Sequence, residues 1–287
     1  MGNTLDFCKD FWNNIIAACS NEFRELWSFL IKIDLIFKIT HLSMYDYMTQ
    51  QLKSFEDSFI DDDGQTVVLG YLLLRGIFGY DGFSKPTKIQ SSALVPLCLR
   101  RDIIVQAGRG TGKTSASVIA ALHRIDWNQH CVQVVIVHAT LPDIMTTTYN
   151  VHKLGACYDV GYDNRFLEFG KCEWLLECHH RQDRGRVDEQ ASAILDGRIK
   201  MIVGTFGRIA ELLRLTSFAS TVKLLIVDNA DFVLDRFYLE LNDIIKHMPH
   251  TTQLAFFSEM MPESLLTVAR SLVRPDRLAV EVLLSND

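Results

Sequence analysis

At 287 residues, 48% of them hydrophobic and 22% charged, the chain has the composition of a soluble globular protein of one large or two modest domains. Its formal net charge of −6 excludes nucleic-acid binding driven by a broadly basic surface, so any such contact must be local and carried by loops. Seven scattered cysteines, an odd number, exclude a disulfide framework and fit reduced intracellular thiols. Cys172, Cys178, His179 and His180 lie close together, but no C-x-x-C spacing supports a zinc site.

Residues 1–53 have mixed charge and helical character, with Phe11, Trp12, Ile15 and Ile16 spaced for one face, and are expected to form a helical extension. The apolar run Leu26–Thr40 is interrupted by Lys32, Asp34 and Lys38 and is shorter than the roughly 20 residues a membrane span needs. It starts too far in, and lacks the basic flank, for a secretory signal. Met1-Gly2 opens like a myristoylation site, but Asp6 stands where Ser or Thr is required. A cytoplasmic protein without a membrane partner is expected, with the nucleus as the other possible compartment.

An acidic loop at Asp61–Asp63 precedes an apolar helix, Leu69–Tyr80, and then the stretch Gly82-Phe83-Ser84-Lys85-Pro86-Thr87-Lys88-Ile89-Gln90. Pro86 suits a helix start, because its φ is fixed and its missing donor is not needed there. The Gln90 amide, one turn in, offers a donor and an acceptor that match the N6/N7 edge of adenine.

The most informative stretch is Ile103-Ile104-Val105-Gln106-Ala107-Gly108-Arg109-Gly110-Thr111-Gly112-Lys113-Thr114. It reads as a short buried strand and a glycine-rich turn opening onto a helix over Ser115–Ile125. Backbone N–H groups of such a turn and of the helix end converge on an anion, and the helix dipole favours negative charge there. Lys113 is expected to reach outer phosphates and Thr114 to hold Mg²⁺; Ala107 stands where the strict pattern has glycine.

Further on, short apolar runs at Gln133–Val137, Lys200–Val203, Leu224–Val227, Leu254–Phe257 and Leu278–Leu283 read as strands buried on both faces. Helical runs, among them Phe206–Leu213, Tyr238–His247 and Glu263–Leu272, lie between them. The alternation predicts an α/β fold of right-handed βαβ units with a mainly parallel sheet and helices on both faces. Ligands bind such sheets beyond the carboxyl ends of the strands. Thr140, Gly204–Arg208, Asp228–Asp231 and Ser258–Met260 all follow predicted strands.

These elements, in this order, resemble the N-terminal RecA-like, P-loop domain of the DEAD-box RNA helicases over about residues 72–282. The resemblance implies a helicase ATP-binding domain over 54–287 that includes a Q motif within 54–90. The family's second helicase domain is expected to be absent. ATP would contact Phe83, Lys85, Gln90, Ala107, Gly108, Arg109, Gly110, Thr111, Gly112, Lys113 and Thr114, with Mg²⁺ at Thr114 and Asp228. Catalytic positions would be Lys113, Asp228, Asn229 and Ser258. RNA would meet Thr140, Gly185, Thr205, Gly207 and Arg208. A translation-factor or helicase-like protein partner is a further implication.

Several positions depart from the family's pattern. The DEAD tetrad reads Asp228-Asn229-Ala230-Asp231, so an amide replaces the Glu that activates the attacking water. Loss of a positioned base typically costs about 10²–10⁴ in rate. Ser258-Glu259-Met260 stands for S-A-T, Leu141 replaces an arginine, Phe206 replaces a proline and Arg184 replaces one of two glycines. The expected product is an ATP- and RNA-binding domain with weakened hydrolysis. A non-catalytic pseudo-helicase used as a protein-interaction module is the alternative.

Overall fold

The computed structural model describes residues 86–155, 175–178, 185–273 and 279–284, side chains of 185 and 186 excepted. All of them belong to the larger of two compact units of the chain, Phe55–Asp287. The predicted extension over 1–53 and the helix at 69–80 lie outside the described residues.

In chain order the elements are α1 (Lys88–Cys98), β1 (Ile103–Gln106), α2 (Lys113–Arg124), β2 (Val134–His138), α3 (Leu141–Gly155), β3 (Leu175–Cys178) and α4 (Gly185–Leu195). They continue with β4 (Met201–Thr205), α5 (Phe206–Leu215), β5 (Leu224–Asp228), α6 (Ala230–Arg236), α7 (Tyr238–His247), β6 (Gln253–Ser258), α8 (Glu263–Leu272) and β7 (Val280–Leu283). The seven strands form one sheet in the order β3-β4-β2-β5-β6-β1-β7. Every neighbouring pair is parallel.

The uninterrupted apolar runs follow from this layering. Alternate side chains of the central strands enter opposite faces, and both faces are covered. Val105, Ile136, Ile226 and Phe257 pack under α1, α2 and α3. Ile104, Val135, Leu225 and Phe256 pack against the helices α4 to α8. Strand β7 alternates partly buried and exposed positions, as befits a sheet edge.

The strands run further toward their carboxyl ends than the apolar pattern suggests. Gly204 and Thr205, expected to follow a strand, are its last residues, and so are Asp228 and Ser258. The parallel ladder carries them there, through His138↔Thr205 and Gln106↔Ser258. Gly204 is required for close approach: a Cβ there would lie 2.3 Å from Cys178 Sγ and 2.4 Å from the Cys178 carbonyl oxygen. Burial also pushes the Cys178 thiol up to about 12, so it is inert packing.

The start of α1 differs from expectation by one position. Thr87, not Pro86, begins the helix as its cap, accepting from the Gln90 N–H while the Gln90 side chain accepts from the Thr87 N–H. This reciprocal box satisfies two N–H groups that a helix end otherwise leaves bare.

Candidate nucleotide site

The loop between β1 and α2 is shaped by glycine. Gly112 caps α2 at φ +96°, and a Cβ there would lie 2.8 Å from Gln90 Nε2 and 3.1 Å from Thr87 Oγ1. The start of α1 therefore rests directly on the loop. The Thr87 hydroxyl fixes the contact by donating to the Thr111 carbonyl at 2.8 Å. Thr111 in turn donates to the Gly108 carbonyl at 2.8 Å, closing the turn on itself. Gly110 has φ +72°, and nothing lies within 4 Å of where its Cβ would be. The backbone there faces open space, as a cradle for a phosphate requires.

Lys113 folds back over this loop and donates to the carbonyls of Ala107 at 2.6 Å and Gly108 at 2.8 Å. Desolvation lowers its pKa, and the nearby carboxylates of Asp228, Glu259 and Asp231 oppose that. A half-buried ammonium held only by backbone carbonyls can exchange them for an anion. Across the cleft the Thr114 hydroxyl donates to Asp228 Oδ2 at 3.3 Å. These two side chains carry the hard oxygen donors suited to Mg²⁺, and the structure holds them together. The residues present therefore fit ATP·Mg²⁺.

Asp228 is 5% exposed. Burial raises its pKa, against the attraction of His138, the Asn229 N–H and Lys113. His138, on the adjacent strand, is fully buried with neither ring nitrogen hydrogen-bonded. Desolvation lowers its pKa more than Asp228 and Asp143 raise it, so the ring is neutral in the fold. The unfolded chain takes up that proton from about pH 6.5 downward. Below that value the unfolded state binds more protons and stability falls with pH. Denaturant titrations at pH 7.5 and 5.5 should show the loss, and His138→Leu should reduce it; an unchanged pH dependence in the variant would refute the assignment. His123, also lowered by burial, adds to the loss, while Asp228, raised by burial, opposes it.

Around this centre the predicted residues fall into two groups along one edge of the sheet. Ala107–Thr114, Asp228 and Ser258 cluster at the ends of β1, β5 and β6. Thr140 follows β2, Thr205 ends the adjacent β4 with Gly207 and Arg208 just after it, and Gly185 opens α4 after β3. Phe83 and Lys85 lie outside the described residues, as do Cys172, His179 and His180. No group of three metal-ligating side chains occurs among the described residues. No described helix is long and apolar enough to cross a membrane.

Some side chains stand otherwise than their spacing suggests. Gln90 is 2% exposed, and its acceptor oxygen is taken by the Thr87 N–H. Arg208 is 2% exposed, with its guanidinium 3.2 Å from Glu211, while Gly207 is exposed. Reaching a surface phosphate would require Arg208 to change rotamer. Phe206 is buried and stacks on Phe237 with centroids 5.4 Å apart. Ser258 accepts from the Asp231 N–H at 3.3 Å and donates to the Met260 carbonyl at 2.7 Å.

Two pairings escape motif reading altogether. Asn229, at φ +53°, turns its amide to donate to Asp143 Oδ2 at 2.9 Å, and the same oxygen accepts from Thr140 at 2.5 Å. Arg109 donates to Glu259 Oε2 at 2.7 Å. Each joins residues far apart in sequence, 86 and 150 positions respectively, so no local signal announces them.

The chain is similar to known proteins. Initiation factor 4A of Cryptosporidium parvum is 35% identical over 213 residues, 73% of this chain and 48% of that protein. The ATP-dependent RNA helicase eIF4A of Aspergillus clavatus is 33% identical over 234 residues, covering 80% and 54%. The chain thus spans about half the length of these curated relatives. S. cerevisiae Dbp5 bound to RNA and ADP BeF3 superposes with a TM-score of 0.60 at 24% identity, over 76% of this chain and 50% of that one, which identifies the fold as RecA-like. The family model for the DEAD/DEAH box helicases matches residues 87–268. That match covers more than half of the sequence, from the cap of α1 into α8, and makes the chain a member of the DEAD/DEAH box helicase family.

Proposed function

We propose that this domain binds ATP·Mg²⁺ and RNA as helicases of its family do, but hydrolyses ATP poorly. The observation that carries nucleotide binding is the cradle itself: left-handed Gly112, Lys113 over the loop, and Thr114 within 3.3 Å of Asp228. Weak hydrolysis rests on Asn229. Its amide accepts no proton, and it is held by Asp143 rather than free to orient water. RNA binding rests on the exposed Thr140 and Gly207 and on the helix N-terminus at α5, a local anion site on an acidic chain. A cytoplasmic location goes with the same reading.

Titration with a fluorescent ATP analogue, with and without Mg²⁺, tests the first claim. Wild type should bind, more tightly with Mg²⁺, and Lys113→Ala should bind at least about tenfold more weakly, since charge-assisted phosphate contacts are the strong ones. Equal binding by the two proteins would end the nucleotide reading.

The second reading, a protein-interaction module, draws on exposed apolar side chains of α6 and α7. Phe232 on α6 is 44% exposed and Leu239 on α7 is 76% exposed. A protein partner, such as a translation factor, would cover both. In that reading nucleotide binding is absent or purely structural.

A further inference from the structure

The glycine-rich loop carries an ion pair that the reading of the site does not use. Arg109 sits at the crown of the loop, its side chain 88% exposed, between Gly108 and the open, positive-φ Gly110. Its partner Glu259 follows the last residue of β6 and is itself 37% exposed. Both side chains line the same cavity of about 820 Å³, with Thr87, Ala107, Thr111 and Leu284 among its other walls. The pair therefore joins the loop to the end of β6 beside this cavity.

Resting on the nucleotide reading above, we propose that Glu259 is a tethered anion that competes with the nucleotide. It holds Arg109 in reserve, and an incoming polyphosphate must take the guanidinium from it. Arg109 then becomes a phosphate-reading side chain supplied by the loop itself, favouring triphosphate over diphosphate.

Three observations support the exchange. The carboxylate makes a charge-assisted contact of 2.7 Å, the same kind of contact that a phosphate oxygen would make. Glu259 and Arg109 each act on the Lys113 ammonium, one raising and one lowering its pKa, so both charges lie within reach of the group that binds phosphate. An exposed pair is worth only about 0.2–1 kcal/mol, so a ligand carrying several negative charges displaces it readily. Until it is displaced, Glu259 repels that ligand.

The test is a double-substitution cycle read by titration with a fluorescent ATP analogue and its ADP counterpart at fixed Mg²⁺ and ionic strength. Glu259→Gln should tighten ATP binding by up to about fivefold, the range an exposed pair allows, and ADP binding less. Arg109→Ala should weaken ATP binding and cancel most of the gain when combined with Glu259→Gln. Both positions are at the surface, and unchanged melting temperatures would verify that the fold is intact. Unchanged or weaker ATP binding by Glu259→Gln overturns the proposal, and so does a gain that persists in full without Arg109. Lys113→Ala in the same series separates the two failures. If it binds like wild type, or if no protein binds, the nucleotide reading itself has failed. If it loses binding while the Glu259 cycle is flat, only the competition is refuted.

Discussion

Asn229→Glu alone should leave ATP turnover at background, and Asn229→Glu combined with Asp143→Leu should raise it by up to about 10²-fold. Restoring the base at position 229 looks sufficient from sequence, because a positioned general base contributes about 10²–10⁴. The geometry argues otherwise. The Asn229 amide donates to Asp143 at 2.9 Å, so the carboxylate of a glutamate there, one methylene longer, would lie close to that of Asp143. Two unit charges 4 Å apart near a protein surface repel by about 4 kcal/mol. The pair avoids this by sharing one proton, and a carboxyl group engaged in that sharing is a poor base for water. Removing Asp143 frees the new Glu to ionise, and also releases Thr140, whose hydroxyl now donates to that carboxylate. The assay is steady-state phosphate release with RNA present and the remaining half of a full-length relative added in trans. Turnover by the single variant equal to that of the double would show that Asp143 does not block the site. Inactivity of both, with ATP binding intact, would place the defect elsewhere, with Leu141 and Met260 the next positions to restore.

The sequence made the sheet and the cradle legible because both rest on local signals. The apolar runs of β1, β2, β4, β5 and β6 are continuous, and the Gly-Lys-Thr turn follows a strand directly. Helix α3 was not legible because its composition works against it. It carries Thr146-Thr147-Thr148, three β-branched residues with poor helix propensity. Its buried face, Ile144, Thr147, Val151 and Leu154, shows why packing prevails over propensity. Strand β3 is four residues long, with three of them only partly buried. The cap at Thr87 was legible in principle, since Thr-Lys-Ile-Gln has the spacing of a capping box. The pairs Arg109–Glu259 and Asn229–Asp143 were not, because tertiary contact alone brings their members together. They also involve substituted positions. Glu259 and Asn229 read in sequence as losses from a motif, and in the structure each has a new partner.

Asp228→Asn should make the nucleotide-free domain more stable while abolishing the Mg²⁺-dependent part of ATP binding. Its carboxylate is 5% exposed, and desolvation dominates the upward displacement of its pKa. An ionised group in that position opposes folding near neutral pH, and its burden is relieved only as pH falls and the carboxyl takes up a proton. Asparagine has nearly the same shape and carries no charge. Its oxygen can still accept from the Asn229 N–H, now 3.0 Å from Asp228 Oδ1, and its NH₂ can donate to the Thr114 hydroxyl once that rotates. Relief of buried charge of this sort commonly adds about 0.5–2 kcal/mol, or a few degrees in melting temperature. The metal loses an anionic oxygen at the same moment. Loss of outer-shell partners alone costs about 10–100-fold in metal affinity, and loss of a direct ligand should cost no less. Thermal melts with and without ATP·Mg²⁺ measure both effects together. Wild type should gain more stability from the ligand than the variant does, and the variant should start from the higher melting temperature. A lower starting value would mean that Asp228 supports the fold rather than straining it. An undiminished Mg²⁺ effect would mean that the carboxylate does not hold the ion. The expected opposition of stability and binding accounts for a buried acid at the end of β5: its charge is costly until a cation arrives to share it.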